Sequence, residues 1–248
     1  MIISVASEGF QFKQFYIRHD RCAMKVGTDG VVLGCWAITP PYLTPQGKGI
    51  RILDIGTGSG LIARMLMQRF PEAEVEAIDI DEAAVAQARE NGVNAYLSRL
   101  QDWKNVKCQM SNDKCYNSIV ANPPYFQNSL KNPDKGREIA RHTDSLSYRD
   151  LLHHSARLLT EDGQLALILP AESEAEIIAL AAIEGLSLVR VTRVYSKVSK
   201  PARRVLLQFA FTKARDHELM PIEDQLVLED DHGGRSEAYR ELTKDFYL

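Results

Sequence analysis

The four residues from Asn122 to Tyr125 have types that suit chemistry on an amine nitrogen. They follow the apolar run 118–121, and Pro123 cannot continue a strand because proline lacks the N–H that a sheet ladder needs. The Asn122 side-chain oxygen and the Pro123 carbonyl are two acceptors for the two N–H bonds of one amine. Such acceptors would free a lone pair that is otherwise delocalised into a ring. Pro124 biases Pro123 to an extended conformation, and Tyr125 offers a flat face for stacking a ring. A structural proline-rich loop is the alternative.

A second stretch, DIGTGSG at 54–60, has the composition of a ligand-binding turn. Glycine lets the backbone turn tightly and approach a ligand closely. The spacing is GxGxG, whereas dinucleotide-binding turns have GxGxxG and meet a pyrophosphate. Asp54 would repel phosphate, but it suits a ligand that carries an ammonium group. A packing turn without a ligand is the alternative. The candidate binding residues here are Asp54, Gly56, Gly58 and Gly60.

Asp79 ends the next apolar run, where a carboxylate can accept both hydroxyls of a ribose. Asp81 is better suited to cap the helix that follows, so Asp79 is the candidate for the ribose, with a solvated turn aspartate as the alternative. A cationic ligand that bears a ribose and no phosphate is S-adenosylmethionine (SAM). The sequence therefore predicts SAM as the cofactor, with S-adenosylhomocysteine as the product and no metal.

Strands must position these loops, and the sequence alternates between strand-like and helix-like segments. The apolar runs 50–55 and 73–79 predict buried strands, and helical spacing follows each of them. Further strands are predicted at 106–110, 117–121, 164–170, 186–195 and 203–212, and further helices at 148–159 and 171–185. This alternation predicts an α/β fold with a doubly wound, mostly parallel sheet and an antiparallel C-terminal strand.

The bulk composition is that of an ordinary globular protein. The chain has 248 residues, a net charge of −3, and four cysteines in no CxxC pair. We expect reduced thiols, no secretory leader, no membrane span and a cytoplasmic location. We expect one domain, with residues 1–45 as an extension over the cofactor site, 46–215 as the catalytic core and 216–248 as a C-terminal extension.

The motifs resemble those of a known enzyme family. LDIGTGSG resembles the SAM-binding loop of the Rossmann-like methyltransferases, and NPPY resembles the amino-methyltransferases that act on adenine, cytosine or glutamine. With RHDRCAMKVGTDGVVLGCWA at 18–37, and the stretches PARRVLLQFAF and SEAYRELTKDFYL, nearly the whole chain resembles the bacterial tRNA (adenine-N6)-methyltransferases. These enzymes modify the adenine beside the anticodon, position 37, of a valine tRNA. The resemblance implies a SAM-dependent enzyme with a tRNA substrate and no stable protein partner.

The resemblance also implies further cofactor contacts. A polar residue just after the third strand would contact the adenine of SAM, and by position this is Asn112, with Ser111 and Asp113 as rivals. The family resemblance suggests that the segment containing Lys25, Thr28 and Asp29 closes over the methionine end of SAM. A helix start with Thr28 or Asp29 as N-cap is the alternative, and both roles are compatible.

Two basic stretches predict contacts with a polyanion. No acidic residue occurs from 185 to 215, six lysines and arginines cluster between 190 and 204, and a second group follows NPPY. Basic patches beside an active site in an acidic protein suggest phosphate contacts, with solvated charge runs as the alternative. The candidate RNA-binding residues are Lys131, Lys135, Arg137, Arg141, Lys197, Lys200, Arg203 and Arg204.

Other functions stay open at this stage. A protein-glutamine N5-methyltransferase acting on a release factor would share the SAM loop and NPPY, but about 45 residues before the first core strand are few for its helical domain. A catalytically silent protein that binds SAM or RNA is a rival of another class. The glycine spacing disfavours an NAD-dependent oxidoreductase, and no target-recognition domain for DNA is visible.

Overall fold

The computed structural model describes residues 8–22, 24–37, 48–104, 116–123, 146–212 and 220–248. The strands are β1 (Gly9–Gln11), β2 (Tyr16–Arg18), β3 (Arg51–Ile55), β4 (Glu74–Asp79), β5 (Asn94–Leu97), β6 (Tyr116–Ala121), β7 (Leu159–Pro170), β8 (Leu186–Tyr195), β9 (Arg204–Phe211) and β10 (Ile222–Val227). The helices are α1 (Thr28–Trp36), α2 (Leu61–Arg69), α3 (Glu82–Glu90), α4 (Tyr148–Leu158), α5 (Glu174–Ile183) and α6 (Glu237–Thr243). None of the helices in this described part combines the length and apolar character needed to span a bilayer.

Eight strands form one central sheet in the order β10-β8-β9-β7-β6-β3-β4-β5. All neighbouring pairs are parallel except the two that involve β9, which runs antiparallel to β7 and to β8. The predicted α/β fold, with a mostly parallel sheet and an antiparallel strand near the C-terminus, is confirmed. The edge strand β10 and the hairpin β1–β2 were not predicted.

Helices cover the sheet on both faces. Successive strand residues point to opposite sides, so each strand contributes side chains to both apolar clusters. Leu53 of β3 packs with Leu167 of β7 in one apolar cluster, together with residues of α4 and α5. The preceding residues in each strand, Ile52 and Ala166, face the other cluster, which contains residues of α1, α2 and α3. This two-sided burial explains the near-continuous apolar runs from which the strands were predicted.

One strand of the parallel series, β5, was not predicted. On the side away from β3, β4 pairs with β5, in which Ala95 is buried while Asn94 and Leu97 are exposed. It begins two residues after Gly92, so it is too short and too close to the preceding helix to stand out in the sequence. The predicted strand at 106–110 lies outside the described residues. The carboxyl end of β5 is therefore at Leu97.

The hairpin β1–β2 packs against the residues that follow α6, beside α1 and α2. The Phe12 ring stacks on Tyr247 with centroids 5.9 Å apart, and the Lys13 N–H donates to the Phe246 carbonyl at 2.8 Å. Phe12 and Phe246 share an apolar cluster with Met65 of α2. This packing fixes the position of β1–β2. The last residue of β2, Arg18, is hydrogen-bonded to Asn91 at the end of α3.

Candidate functional site

The glycine loop and the NPPY stretch leave the sheet side by side. Ile55, the last residue of β3, pairs in register with Ala121, the last residue of β6. Gly56 and Asn122 are the next residues of these two strands, and neighbouring strands lie about 4.8 Å apart. The sheet therefore brings the predicted cofactor loop and the predicted amine-binding loop together at its carboxyl edge, where open α/β sheets bind ligands.

The glycine loop has the backbone conformation that requires glycine. Gly56, Gly58 and Gly60 have φ values of +69°, +56° and +82°. A Cβ at Gly56 or Gly58 would meet no atom within 4 Å, whereas one at Gly60 would lie 2.8 Å from Val93. The first two glycines thus border open space that a ligand can fill, and the third permits close packing against α3.

Asp54 lies beneath this loop and is fully buried. Its Oδ2 accepts hydrogen bonds from the Thr57 hydroxyl at 2.6 Å and from the Ala63 N–H at 3.2 Å. Burial raises the pKa of the Asp54 carboxyl to about 7, although both hydrogen bonds lower it. Its Oδ1 has no hydrogen-bond partner among the described residues. A buried acceptor without a donor is costly, and a cationic group near the loop would relieve that cost.

Asp79 joins the glycine loop to the start of α3. Its Oδ2 accepts from the Gly58 N–H at 2.9 Å, and its Oδ1 accepts from the Asp81 N–H at 3.0 Å. Asp81 caps α3 by accepting from the Ala83 N–H, as predicted. Two exposed apolar side chains border Asp79, because Ile80 follows it and Leu97 pairs with it in register. Neither side chain was predicted as part of the site, and Leu97 belongs to a strand that was not predicted.

Residues 18–22 and 24–27, here called the cover segment, run from β2 to α1 beside the carboxyl edge of the sheet. The Val26 N–H donates to His19 Nδ1 at 3.1 Å, which closes the segment into a loop that includes Lys25, an exposed residue. Burial raises the pKa of the Cys22 thiol to about 11, and the carboxylates of Asp79 and Asp81 add to this effect. The cover segment therefore lies near the predicted ribose carboxylate.

The start of α1 differs in one detail from the prediction. The helix begins at Thr28 with Gly27 as its N-cap and no side-chain cap, so the alternative of a cap by Thr28 or Asp29 is wrong. Asp29 lies in the first turn and is used differently: its Oδ2 accepts from Arg204 Nε at 2.8 Å. The carboxylate is engaged by a side chain of β9, which explains why it does not cap the helix.

The C-terminal basic cluster lies at the same edge of the sheet. Because β8 is parallel to β10 and antiparallel to β9, the loop 196–203 emerges beside the carboxyl end of β7, where Pro170 pairs with Arg204. Ion pairs with other elements join Arg190 to Asp224, Arg193 to Glu174 and Glu223, Lys197 to Glu229 and Arg204 to Asp29.

Lys200 and Arg203 are the exposed cations of this loop. In the described part of the chain, no carboxylate lies within ion-pair distance of either side chain. Several predicted site residues lie outside the described residues and stay predictions. These are Asn112, Pro124, Tyr125, Lys131, Lys135, Arg137 and Arg141.

The residues present at this site fit SAM. The unpartnered Asp54 oxygen, the open space at two glycines and the Asp79 carboxylate match a cationic, ribose-bearing ligand. Within the described ranges, no group of three histidine, cysteine, aspartate or glutamate side chains is arranged to hold a metal ion.

Comparisons with known proteins identify the family of the chain. Residues 42–196, more than half of the chain, match the family model "Methyltransferase small domain". The chain is 43% identical over 247 residues to a tRNA1(Val) (adenine(37)-N6)-methyltransferase of Parabacteroides distasonis, covering 98% of this chain and 99% of that protein. It is 41% identical over 251 residues to the protein of the same name from Aeromonas salmonicida, covering 98% of each.

Solved structures share the fold. A "predicted O-methyltransferase" of Agrobacterium tumefaciens superposes with a TM-score of 0.61 at 18% identity, covering 88% of this chain and 96% of that one. At this identity the likeness supports the fold alone.

Proposed function

Since the chain belongs to the methyltransferase small domain family, and within it to the tRNA1(Val) (adenine(37)-N6)-methyltransferases, we propose that it methylates the N6 amine of adenine 37 in tRNA1(Val). SAM, the cofactor that this family implies, is the methyl donor. The observation that carries the proposal is the register of β3 with β6, which sets Asn122 beside Gly56. A donor loop and an acceptor loop one strand apart are what a direct methyl transfer requires.

SAM would be held by the glycine loop and its two carboxylates, and it supplies an electrophilic methyl group on a sulfonium. Asp54 is placed to favour the ammonium group, since its Oδ1 is buried without a donor. Asp79 is already fixed by the Gly58 N–H, so its remaining lone pairs can accept from ribose hydroxyls. Ile80 and Leu97 offer apolar surface to the adenine ring of SAM.

Asn122 and Pro123 would bind and orient the target amine. The side-chain oxygen of Asn122 and the Pro123 carbonyl accept the two N–H bonds of the adenine N6, which draws the nitrogen towards tetrahedral geometry. The Pro123 nitrogen carries no hydrogen, so it offers no donor that would compete with this arrangement. A strong general base is unnecessary, because the N6 proton becomes acidic once the nitrogen is methylated and can pass to water.

The basic loop 196–203 would hold the RNA backbone near this site. The loop ends at β9, which is separated from β6 by β7 alone, so this end of the loop lies about 10 Å from the strand that carries Asn122. The exposed side chains of Lys200 and Arg203 are available for phosphates. Adenine 37 lies in a single-stranded loop, so turning the base into the site costs only a few kcal/mol.

Methyl transfer from labelled SAM to unmodified tRNA1(Val) tests this proposal. The product is digested to nucleosides and analysed by mass spectrometry, and a transcript with guanine at position 37 is the matched control. N6-methyladenosine in the first transcript, and no label in the second, is expected. Label in a release factor, and none in tRNA, would instead assign the chain to the glutamine methyltransferases.

A further inference from the structure

Two buried amide side chains, Gln87 of α3 and Asn91 at the C-cap of α3, attach the cover segment to this helix. Gln87 is fully buried, accepts from the Arg21 N–H at 2.9 Å and donates to Asp20 Oδ1 at 2.8 Å. Asn91, one turn later, accepts from the Arg18 N–H at 3.0 Å and donates to the Arg18 carbonyl at 2.8 Å. Each amide therefore uses both its donor and its acceptor on the cover segment.

Asn91 also reaches the glycine loop. Its Nδ2 donates to the Ser59 carbonyl at 2.7 Å, and Asn91 and Ser59 are both buried. One side chain thus bonds the residue between the second and third loop glycines and the first residue of the cover segment. The close approach of Gly60 to Val93 holds the loop against the same end of α3.

We propose that Gln87 and Asn91 are positioning residues that hold the cover segment in register with the glycine loop and thereby set the affinity for SAM. The proposal rests on the assignment of SAM to the glycine loop. Both amides act through backbone and side-chain groups of other residues, and no atom of either lies within 4 Å of a Cβ built at Gly56 or Gly58. Their role differs from that of Asp54 and Asp79, which are proposed to contact the cofactor.

The exposed ion pair of the cover segment contributes less to its attachment than the two buried amides do. The cover segment carries an ion pair between Arg21 and Glu90 of α3, but both side chains are about half exposed and such pairs contribute little. The buried amides are worth more, because losing a buried partner leaves the opposite group unsatisfied. The main attachment of the cover segment to α3 is therefore through Gln87 and Asn91.

The test uses two variants and one matched control. Gln87→Met keeps the packing volume and removes both contacts with the cover segment, and Asn91→Asp keeps the acceptor but removes both donated bonds. Gln68→Met is the control, because Gln68 of α2 donates to the Asp245 carbonyl at 2.9 Å, so it fastens the C-terminal extension instead. The Kd for SAM is measured by calorimetry without tRNA, and KM and kcat are then measured with tRNA.

Cys22 provides a second readout within the cover segment. Its thiol is partly buried and has a raised pKa, so alkylation in the wild type should be slow. Release of the segment exposes the thiol and lowers its pKa, which accelerates the reaction. The modified cysteine is identified by peptide mass spectrometry, so that other thiols do not confuse the result.

We expect Gln87→Met and Asn91→Asp to raise the Kd and KM for SAM roughly 10-fold, with kcat at saturating SAM within about 3-fold of wild type. Alkylation of Cys22 should accelerate several-fold in the same variants. An unchanged Kd and alkylation rate in Gln87→Met would overturn the proposal, as would an equal change in Gln68→Met. If Asn91→Asp does not fold, Gln87→Met decides alone.

Failure of the proposed function would be seen separately. A wild-type protein that binds SAM but does not methylate tRNA would overturn the substrate assignment. The Kd and alkylation measurements would still decide on the two amides, because neither measurement requires tRNA.

Discussion

Arg204 Nε donates to Asp29 Oδ2 at 2.8 Å, which joins the first residue of β9 to the first turn of α1. Both side chains are about 30% exposed, so the ion pair is only partly screened by water. A Cβ built on the next helical residue, Gly30, would lie 3.0 Å from Leu61, the first residue of α2. The ion pair therefore fixes the end of α1 that packs against the helix following the glycine loop.

We expect Arg204→Gln and Asp29→Asn each to raise the Kd for SAM about 5-fold, equivalent to about 1 kcal/mol. The reason is that either change frees the start of α1 beside the glycine loop. A double-mutant cycle of SAM binding by calorimetry should give a coupling energy of about the same size, because the two residues act as one unit.

The charge-reversed pair, Asp29→Arg with Arg204→Asp, is the matched control and should recover part of the lost affinity. If Arg204 serves RNA alone, Arg204→Gln will weaken tRNA binding and leave the Kd for SAM unchanged, which would contradict this prediction.

The sequence was sufficient for the parts of the fold that depend on local patterns. The strand that ends in Asp54-Ile55, its glycine loop and the cap at Asp81 follow from short-range rules of periodicity and capping. The strand β5 was missed because four residues with one fully buried side chain give no clear period. The predicted adenine contact at Asn112 lies outside the described residues and stays a prediction.

The ion-pair partners of the basic cluster could not be predicted from the sequence of residues 185–215 alone. Residues 185–215 contain no acidic residue, yet carboxylates of α1, α5, β10 and the stretch after β10 pair with four of the six cations between 190 and 204. These partners are distant in sequence and are brought together only by the sheet order. Gln87 and Asn91 are likewise distant in sequence from the cover segment, so their hydrogen bonds to it could not be predicted.

Asn122→Ala should lower kcat about 100- to 1,000-fold while the Kd for SAM stays near the wild-type value. The variant removes one acceptor for the target amine, and a single preorganised polar group of this kind has an effect of that size in other enzymes. Single-turnover methyl transfer and calorimetry measure the two quantities.

Asn117→Ala is the matched control, because Asn117 is on the same strand but accepts from the Arg51 N–H at the opposite edge of the sheet. A Kd for SAM that rises as much as kcat falls in Asn122→Ala would refute this division of roles.

Lys200→Ala and Arg203→Ala should each weaken tRNA binding and make its salt dependence shallower. A lost phosphate contact reduces the slope of log K against log salt by about 0.7 for single-stranded RNA. Binding is measured by filter retention at several salt concentrations. Arg240→Ala is the control, since this exposed arginine of α6 lies next to Glu241 and far along the chain from the loop. An unchanged slope in both variants would remove the loop from the RNA interface.

The buried carboxyl of Asp54 should make the stability of the SAM-free protein depend on pH. Its pKa is raised by burial from 3.8 to about 7, so the folded state binds the proton more tightly than the unfolded state does. The stabilisation from the protonated form is complete below about pH 4 and is lost as pH rises through about 7. The loss is on the order of 4 kcal/mol when the shift is converted at 1.36 kcal/mol per unit.

Urea unfolding at pH 5 and pH 7.5, compared between the wild type and Asp54→Asn, measures this effect. Asparagine can still accept from the Ala63 N–H but does not titrate, so the variant should lose much less stability between the two pH values. Saturating SAM should reverse part of the wild-type loss, because its ammonium group favours the ionised carboxylate. The same pH dependence in both proteins would show that Asp54 is ionised at low cost and that the open lone pairs of its Oδ1 are already satisfied.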